Sequence, residues 1–169
     1  MVMLFHLPAG GSVTVFSMLP ILIIAYRYGV LWGAGVGAVY GLIQMILGVS
    51  ALSYATNALA AVCIILFDYI VAFGVLSLGG MFRKMKNQAV GFGLGIVLSC
   101  VLRFVCHFLT GVTVWADFTD GVWAVINYSL VYNGSYMFPE MLITLVVGVA
   151  VASVLDLKAE SIRPIKREK

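Results

Sequence analysis

Residues 89–112 read AVGFGLGIVLSCVLRFVCHFLTGV, twenty-four residues with a single permanent charge, Arg103. A bilayer core of ~30 Å needs about 20 apolar residues of helix, so this stretch is long enough to cross a membrane. Open strands cannot satisfy their backbone in lipid, and the ten-residue alternation of barrel strands is absent, so the span reads as helix. Working outward, four more stretches share its character: about 13–26 (short, interrupted by Pro20), 29–49 (rich in glycine), 57–81 and 137–156. The whole chain of 169 residues is 63% hydrophobic and 10% charged, with a mean hydropathy of +1.10. A soluble enzyme carries roughly a quarter charged residues, and a disordered chain is far less apolar, so both classes are excluded. The cysteines (Cys63, Cys100, Cys106) are odd in number and lie in apolar runs, which excludes a disulfide scaffold. The expectation is an all-α integral membrane protein: a compact helical bundle with five visible transmembrane helices. It forms one membrane-embedded domain over 1–169, ending in a basic tail at 157–169.

Positive charge orients the spans. Arg27, Arg83, Lys84, Lys86, Lys158, Arg163, Lys166, Arg167 and Lys169 fall on one side of the five-span reading. That side is expected to be cytoplasmic. The other side carries Asp117 and Asp120 and no Lys or Arg. The formal net charge of +3 resides in termini and short loops and is not a nucleic-acid footprint. Five spans put Met1 outside, at the head of an inward-going helix, without the basic leader of a signal peptide. A helix is therefore expected to be missing before Met1, through a late start codon or a truncated gene model. Gly33, Gly37 and Gly41 recur every fourth residue, and Gly91 and Gly95 repeat the pattern. Such faces let helices approach closely in lipid, whether inside the bundle or against a partner.

Ionisable groups inside a membrane are expensive, so each needs an account. Asp68, Arg103 and His107 lie within spans, and Glu140 lies near the outer end of the fifth. Asp68 is about 14 residues above Phe82, hence ~21 Å from the cytoplasmic end at 1.5 Å per residue. Arg103 is equally far above Ala89, so the two charges are expected at matching depth on adjacent spans. They read as a structural ion pair, or as a carboxylate facing a ligand cavity. The roles are compatible, because a carboxylate can accept from two partners. His107 follows Arg103 by four residues on the same face. Gly111 and Trp115 continue that face, and the glycine between ring-bearing residues leaves room for a flat ligand. Trp115 also reads as an ordinary interfacial anchor.

The outer segment 113–136 holds Trp115, Phe118, Trp123, Tyr128, Tyr132 and Tyr136 with Asn127 and Asn133, and no basic residue. Such a segment reads as an aromatic belt, or as a site for an organic cation. In the second case amides and phenols supply directional hydrogen bonds. No Gly-x-x-x-x-Gly-Lys-Ser/Thr loop, His-Glu-x-x-His, Cys-x-x-Cys or Gly-x-Ser-x-Gly is present, so no ATPase, metal or serine-hydrolase chemistry is indicated.

These residues, in order, resemble the thiamine-specific substrate-binding (S) component of energy-coupling factor (ECF) vitamin transporters. The resemblance is carried by Leu7-Pro8-Ala9-Gly10-Gly11-Ser12-Val13-Thr14, Met18-Leu19-Pro20-Ile21, Tyr26-Arg27-Tyr28-Gly29 and Asp68-Tyr69 with Ala72-Phe73-Gly74. It continues through Leu78-Gly79-Gly80, Arg103-Phe104, His107, Gly111, Trp115, Tyr128-Ser129-Leu130-Val131 and Asn133-Gly134. It implies a six-helix fold, with the first helix apparently missing here, and an outward-facing thiamine pocket in the bacterial plasma membrane. It implies no enzymatic activity and no cofactor, ATP being used by partners: a membrane coupling subunit and two ATPase subunits. Carried onto this sequence, it implies thiamine contacts from Asp68, Tyr69, His107, Gly111, Trp115, Tyr128 and Asn133. Two features of the family are not found in this sequence: the Ala-x-x-x-Ala face of the first helix, and a first-loop tryptophan, since residues 7–14 hold no aromatic. The alternatives are the same scaffold for another vitamin, and a stand-alone cation-coupled carrier using Asp68 and Arg103. On the first reading, thiamine's permanent thiazolium charge would meet Asp68, taken as the only acid deep in the membrane.

Overall fold

The computed structural model describes residues 3–6, 12–14, 17–114 and 121–165. At its N-terminal end, strand β1 (Met3–His6) pairs antiparallel with β2 (Ser12–Thr14). Among the described residues five longer helices follow, with a short 3-10 helix (Val49–Tyr54) between the second and third: α1 (Leu19–Tyr28), α2 (Val30–Leu47), α3 (Ala58–Lys84), α4 (Gln88–Val114) and α5 (Val122–Val154). Four are long and apolar enough to cross a membrane, and α1 is shorter. The all-α membrane architecture is as expected. Two boundaries differ from the sequence reading. The first span does not begin at 13, because residues 12–14 are extended and α1 starts at Leu19, with Pro20 in the first turn, where its missing N–H is no loss.

The last span does not begin at 137. It starts at Val122, after Gly121 with φ 94°, and runs 33 residues through Pro139. Much of the expected outer aromatic segment is therefore the upper half of a helix about 50 Å long. A proline inside a helix argues for a boundary from sequence, but its lost hydrogen bond is tolerated in membrane helices.

Close backbone contact sets the packing, because lipid gives helices little hydrophobic reason to associate. A Cβ at Gly33 would meet Ala25 of α1, and at Gly37 and Gly41 the carbonyls of Phe73 and Tyr69 in α3. The α2 glycines thus serve internal packing. Gly91 and Gly95 bring α4 equally close to Phe82 and Gly79. Gly29, with φ 104°, makes the one-residue turn between α1 and α2.

The core lies toward the basic end. Met18, Ile21, Leu22, Tyr26, Leu76, Phe92, Ile96 and Leu157 are each 1% exposed or less. Leu157, the first residue of the expected basic tail, is thus part of the core. Strand β3 (Leu155–Asp156) pairs with β4 (Arg163–Pro164), and the segment folds back under the bundle. Gln88 fastens it. Its Nε2 donates to the carbonyls of Ala152 (2.7 Å) and Leu155 (2.8 Å), and its Oε1 accepts from Leu157 N–H (2.9 Å). Arg27 donates to the carbonyls of Leu157, Ala159 and Glu160, and Arg83 to that of Arg27.

Candidate functional site

The half of the bundle away from the basic end includes the N-terminal part of α3. This helix begins conventionally, with Asn57 capping Ala60 N–H at 2.9 Å. It widens to a π-helix over Ile64–Ile70, returns to α-helix over Val71–Gly74, and tightens to 3-10 over Val75–Lys84. Asp68 sits in the π segment, a geometry that recurs at functional sites. Its Oδ1 lies 2.9 Å from His107 Nδ1 on α4. A carboxylate only accepts, so Nδ1 carries the hydrogen of that bond. His107 Nε2 is buried and has no hydrogen-bond partner among the described residues.

The expected Asp68–Arg103 ion pair is not formed. Arg103 Nη1 lies 3.4 Å from Glu140 Oε2 on α5, and its guanidinium stacks over the Phe73 ring at 4.7 Å. Ser17 donates to the other Glu140 oxygen at 2.9 Å. The depth arithmetic explains the exchange. The eight 3-10 residues from Val75 to Phe82 rise about 2.0 Å each instead of 1.5 Å, which lifts Asp68 by about 4 Å. That shift is toward the level of His107 and away from that of Arg103. Nor is Asp68 the only deep acid: Glu140 is 1% exposed in the middle of α5. A fifth span begun at 137 had put it near the surface. A carrier using Asp68 and Arg103 as one unit lacks its pair here.

Asn133 approaches the same centre. It is 5% exposed, and its Nδ2 donates to the carbonyl of Ser129 (2.9 Å), to Ser129 Oγ (3.2 Å) and to the carbonyl of His107 (3.4 Å). Its Oδ1 accepts from the Tyr136 hydroxyl at 2.8 Å. Tyr128 is exposed toward the outer end and stacks on Tyr132 at 5.7 Å and 8°. Tyr132 meets Tyr136 edge-on at 5.8 Å, and Tyr136 meets His107 edge-on at 6.5 Å. An aromatic ladder thus leads from the Val122 end of α5 to the Asp68–His107 pair.

Three expectations differ or fall elsewhere. Gly111 does not stand beside open space: a Cβ there would strike Ser129 Oγ, so its small size lets α4 and α5 touch. Tyr69 directs its hydroxyl to the Gly48 carbonyl at 3.0 Å, securing the end of α2. Trp115 lies outside the described residues. The structure therefore joins Asp68, His107 and Asn133 directly, and Tyr128 through two tyrosines. Glu140, Tyr132 and Tyr136 stand out in the sequence but are not among the expected ligand contacts. Their signal was present as the four-residue repeat Tyr128, Tyr132, Tyr136, Glu140 on one helix face. A groove of ≈ 260 Å³ between Cys100, Phe104, Gly134, Met137 and Met141 is apolar throughout and offers a cation no counter-charge.

Comparison with known proteins gives the arrangement a context. The family described as "Thiamine transporter protein (Thia_YuaJ)" matches residues 1–159. The chain is 30% identical over 155 residues to "Thiamine transporter ThiT" of Bacillus subtilis (strain 168), covering 86% of this chain and 77% of that protein. It is 30% identical over 145 residues to "Thiamine transporter ThiT" of Lacticaseibacillus paracasei (strain ATCC 334), covering 79% and 70%.

Proposed function

The chain belongs to the thiamine transporter family, a family of transport proteins and not of enzymes, and from that premise we propose that it captures thiamine for an ATP-driven ECF vitamin transporter. In this reading it lies in the bacterial plasma membrane with its basic end in the cytoplasm and its ladder end outside. A membrane coupling subunit and two ATPase subunits complete the transporter, and ATP is hydrolysed by those partners.

The observation that carries the reading is the Asp68–His107 pair at the foot of the tyrosine ladder. Thiamine joins a permanent thiazolium cation to a flat aminopyrimidine. Asp68 supplies the counter-charge: one oxygen is bonded to His107, and its half-buried carboxylate keeps lone pairs for the cation. In a low-dielectric surrounding that attraction is far stronger than in water. The tyrosine rings supply π-faces for the cation and stacking surfaces for both heterocycles. In this reading His107, Tyr128 and Asn133 supply polar partners to the ligand, and the resemblance adds Trp115 as a stacking ring. Gly111 contributes by letting α5 approach, and Tyr69 by holding the α2 end beside Asp68.

Titration of thiamine into the purified chain in detergent tests the reading. Asp68→Asn is expected to lower affinity at least tenfold, roughly 1.4 kcal/mol. Unchanged affinity in a folded Asp68→Asn variant removes Asp68 from the site. Tighter binding of a different vitamin by the wild-type chain would reassign the ligand.

A further inference from the structure

We propose that the C-terminal segment 162–165 is a membrane-surface anchor for anionic phospholipid, with Arg163 on the headgroup phosphate and Ile165 at the edge of the acyl region. The direction of the chain leads to this. Helix α5 ends at Val154, and β3 carries the chain onward from it. Asp156 begins a reversal, its Oδ1 accepting from the N–H groups of Lys158 (3.0 Å) and Ala159 (3.1 Å). Strand β4 then runs back, with Arg163 opposite Asp156 and Pro164 opposite Leu155. Ile165 N–H donates to the Val154 carbonyl at 2.8 Å. The chain thus returns to the point where a membrane-spanning helix ends.

The order of side chains fits a bilayer surface. Residues two apart on a strand share a face and lie about 7 Å apart. Ile165 is level with the end of α5, and Arg163 shares its face but lies further from that end. Ile165 is 40% exposed, Ile162 is 53% exposed, and Arg163 is exposed as well. Among the described residues no carboxylate forms a salt bridge with Arg163. An isoleucine at this level gains by entering the acyl boundary, and a guanidinium matches phosphate with two parallel hydrogen bonds.

Charge decides which lipid. The basic side holds nine basic residues against three acids, Asp156, Glu160 and Glu168. Arg27 and Arg83 are engaged by backbone carbonyls, while Lys84, Lys86 and Arg163 are exposed. Each such cation near an anionic leaflet adds to the attraction. Tyr28 and Trp32, exposed on either side of the α1–α2 turn at this same end, are placed as headgroup-level anchors. An acidic soluble partner would satisfy the cations but not an isoleucine level with the helix end.

Quenching by brominated lipid tests this on the full chain. Ile165→Trp is placed in nanodiscs of phosphatidylcholine with a minor fraction of phosphatidylglycerol. Bromine is carried on the acyl chains of one lipid or the other, at equal mole fraction. The emission added over the parent chain is expected to be quenched about threefold or more strongly by brominated phosphatidylglycerol. Adding Arg163→Glu is expected to cut that preference by about half or more, because the phosphate partner is reversed in sign. Both positions are exposed, and monodisperse elution checks the fold of each variant. No quenching by either lipid overturns the proposal and leaves this surface to a protein partner. Equal quenching by both overturns the selection of anionic headgroups, and an undiminished preference in Arg163→Glu overturns the role of Arg163. The measurement uses no vitamin, so its outcome is independent of the thiamine reading.

Discussion

The two ends of the bundle handle polar groups in opposite ways. At the basic end, Gln88 uses both its oxygen and its nitrogen, Arg27 reaches three carbonyls, and eight core residues are almost completely enclosed. At the outer half, α3 widens around Asp68, and the two buried side-chain atoms without a hydrogen-bond partner among the described residues are Arg103 Nε and His107 Nε2. Buried polar atoms are nearly always paired, so orphans gathered in one region mark where a ligand can complete them. Stability is concentrated at one end, and unsatisfied chemistry is kept at the other.

The largest expected effect comes from the border between the two regions. Glu140→Ala should destabilise the protein by about 3–5 kcal/mol, because it leaves the buried Arg103 charge without its carboxylate. Replacing both partners, Arg103→Met with Glu140→Leu, should restore most of that stability, since the desolvation cost leaves with the charges. Thermal unfolding in detergent reads both, and an unchanged melting temperature in Glu140→Ala would show that the pair does not hold the helices.

Gln88→Leu probes the closed end directly. It should cost about 2–4 kcal/mol by removing three hydrogen bonds and leaving buried backbone groups unsatisfied. Thiamine affinity should remain at the wild-type value when measured well below the melting temperature. A selective loss of binding would join the two ends into one functional unit and erase the contrast.

Gly111→Ala tests the outer packing and is expected to cost about 1–3 kcal/mol, because the new methyl collides with Ser129. Adding Ser129→Gly should recover part of that loss. If Gly111→Ala instead left stability intact and abolished binding, a ligand rather than Ser129 would occupy that space. Tyr69→Phe should have the smallest effect, about 0.5–1.5 kcal/mol of stability from the lost bond to Gly48. Its thiamine affinity should be unchanged, since the ring stays in place. A clear drop in affinity would assign the hydroxyl to the ligand.

Composition and periodicity alone determined that this chain is a helical membrane bundle with nine of its ten basic residues on one side. Apolar length and charge placement are local properties, and lipid permits few other solutions. The polar groups that matter were also visible, since Asp68, His107, Asn133 and the tyrosines stand out in an apolar chain. Which of them meet was not visible. Asp68 pairs with His107, and Arg103 with Glu140, on an α3 whose 3-10 segment rises more steeply than an α-helix. That change in rise leaves no mark in the hydrophobic pattern, yet it moves Asp68 by about 4 Å. Likewise, Gly111 announces a small residue, but only the position of α5 decides that Ser129 fills the space beside it. Pair formation depends on depth and rotation accumulated over whole helices, so tertiary structure decides it.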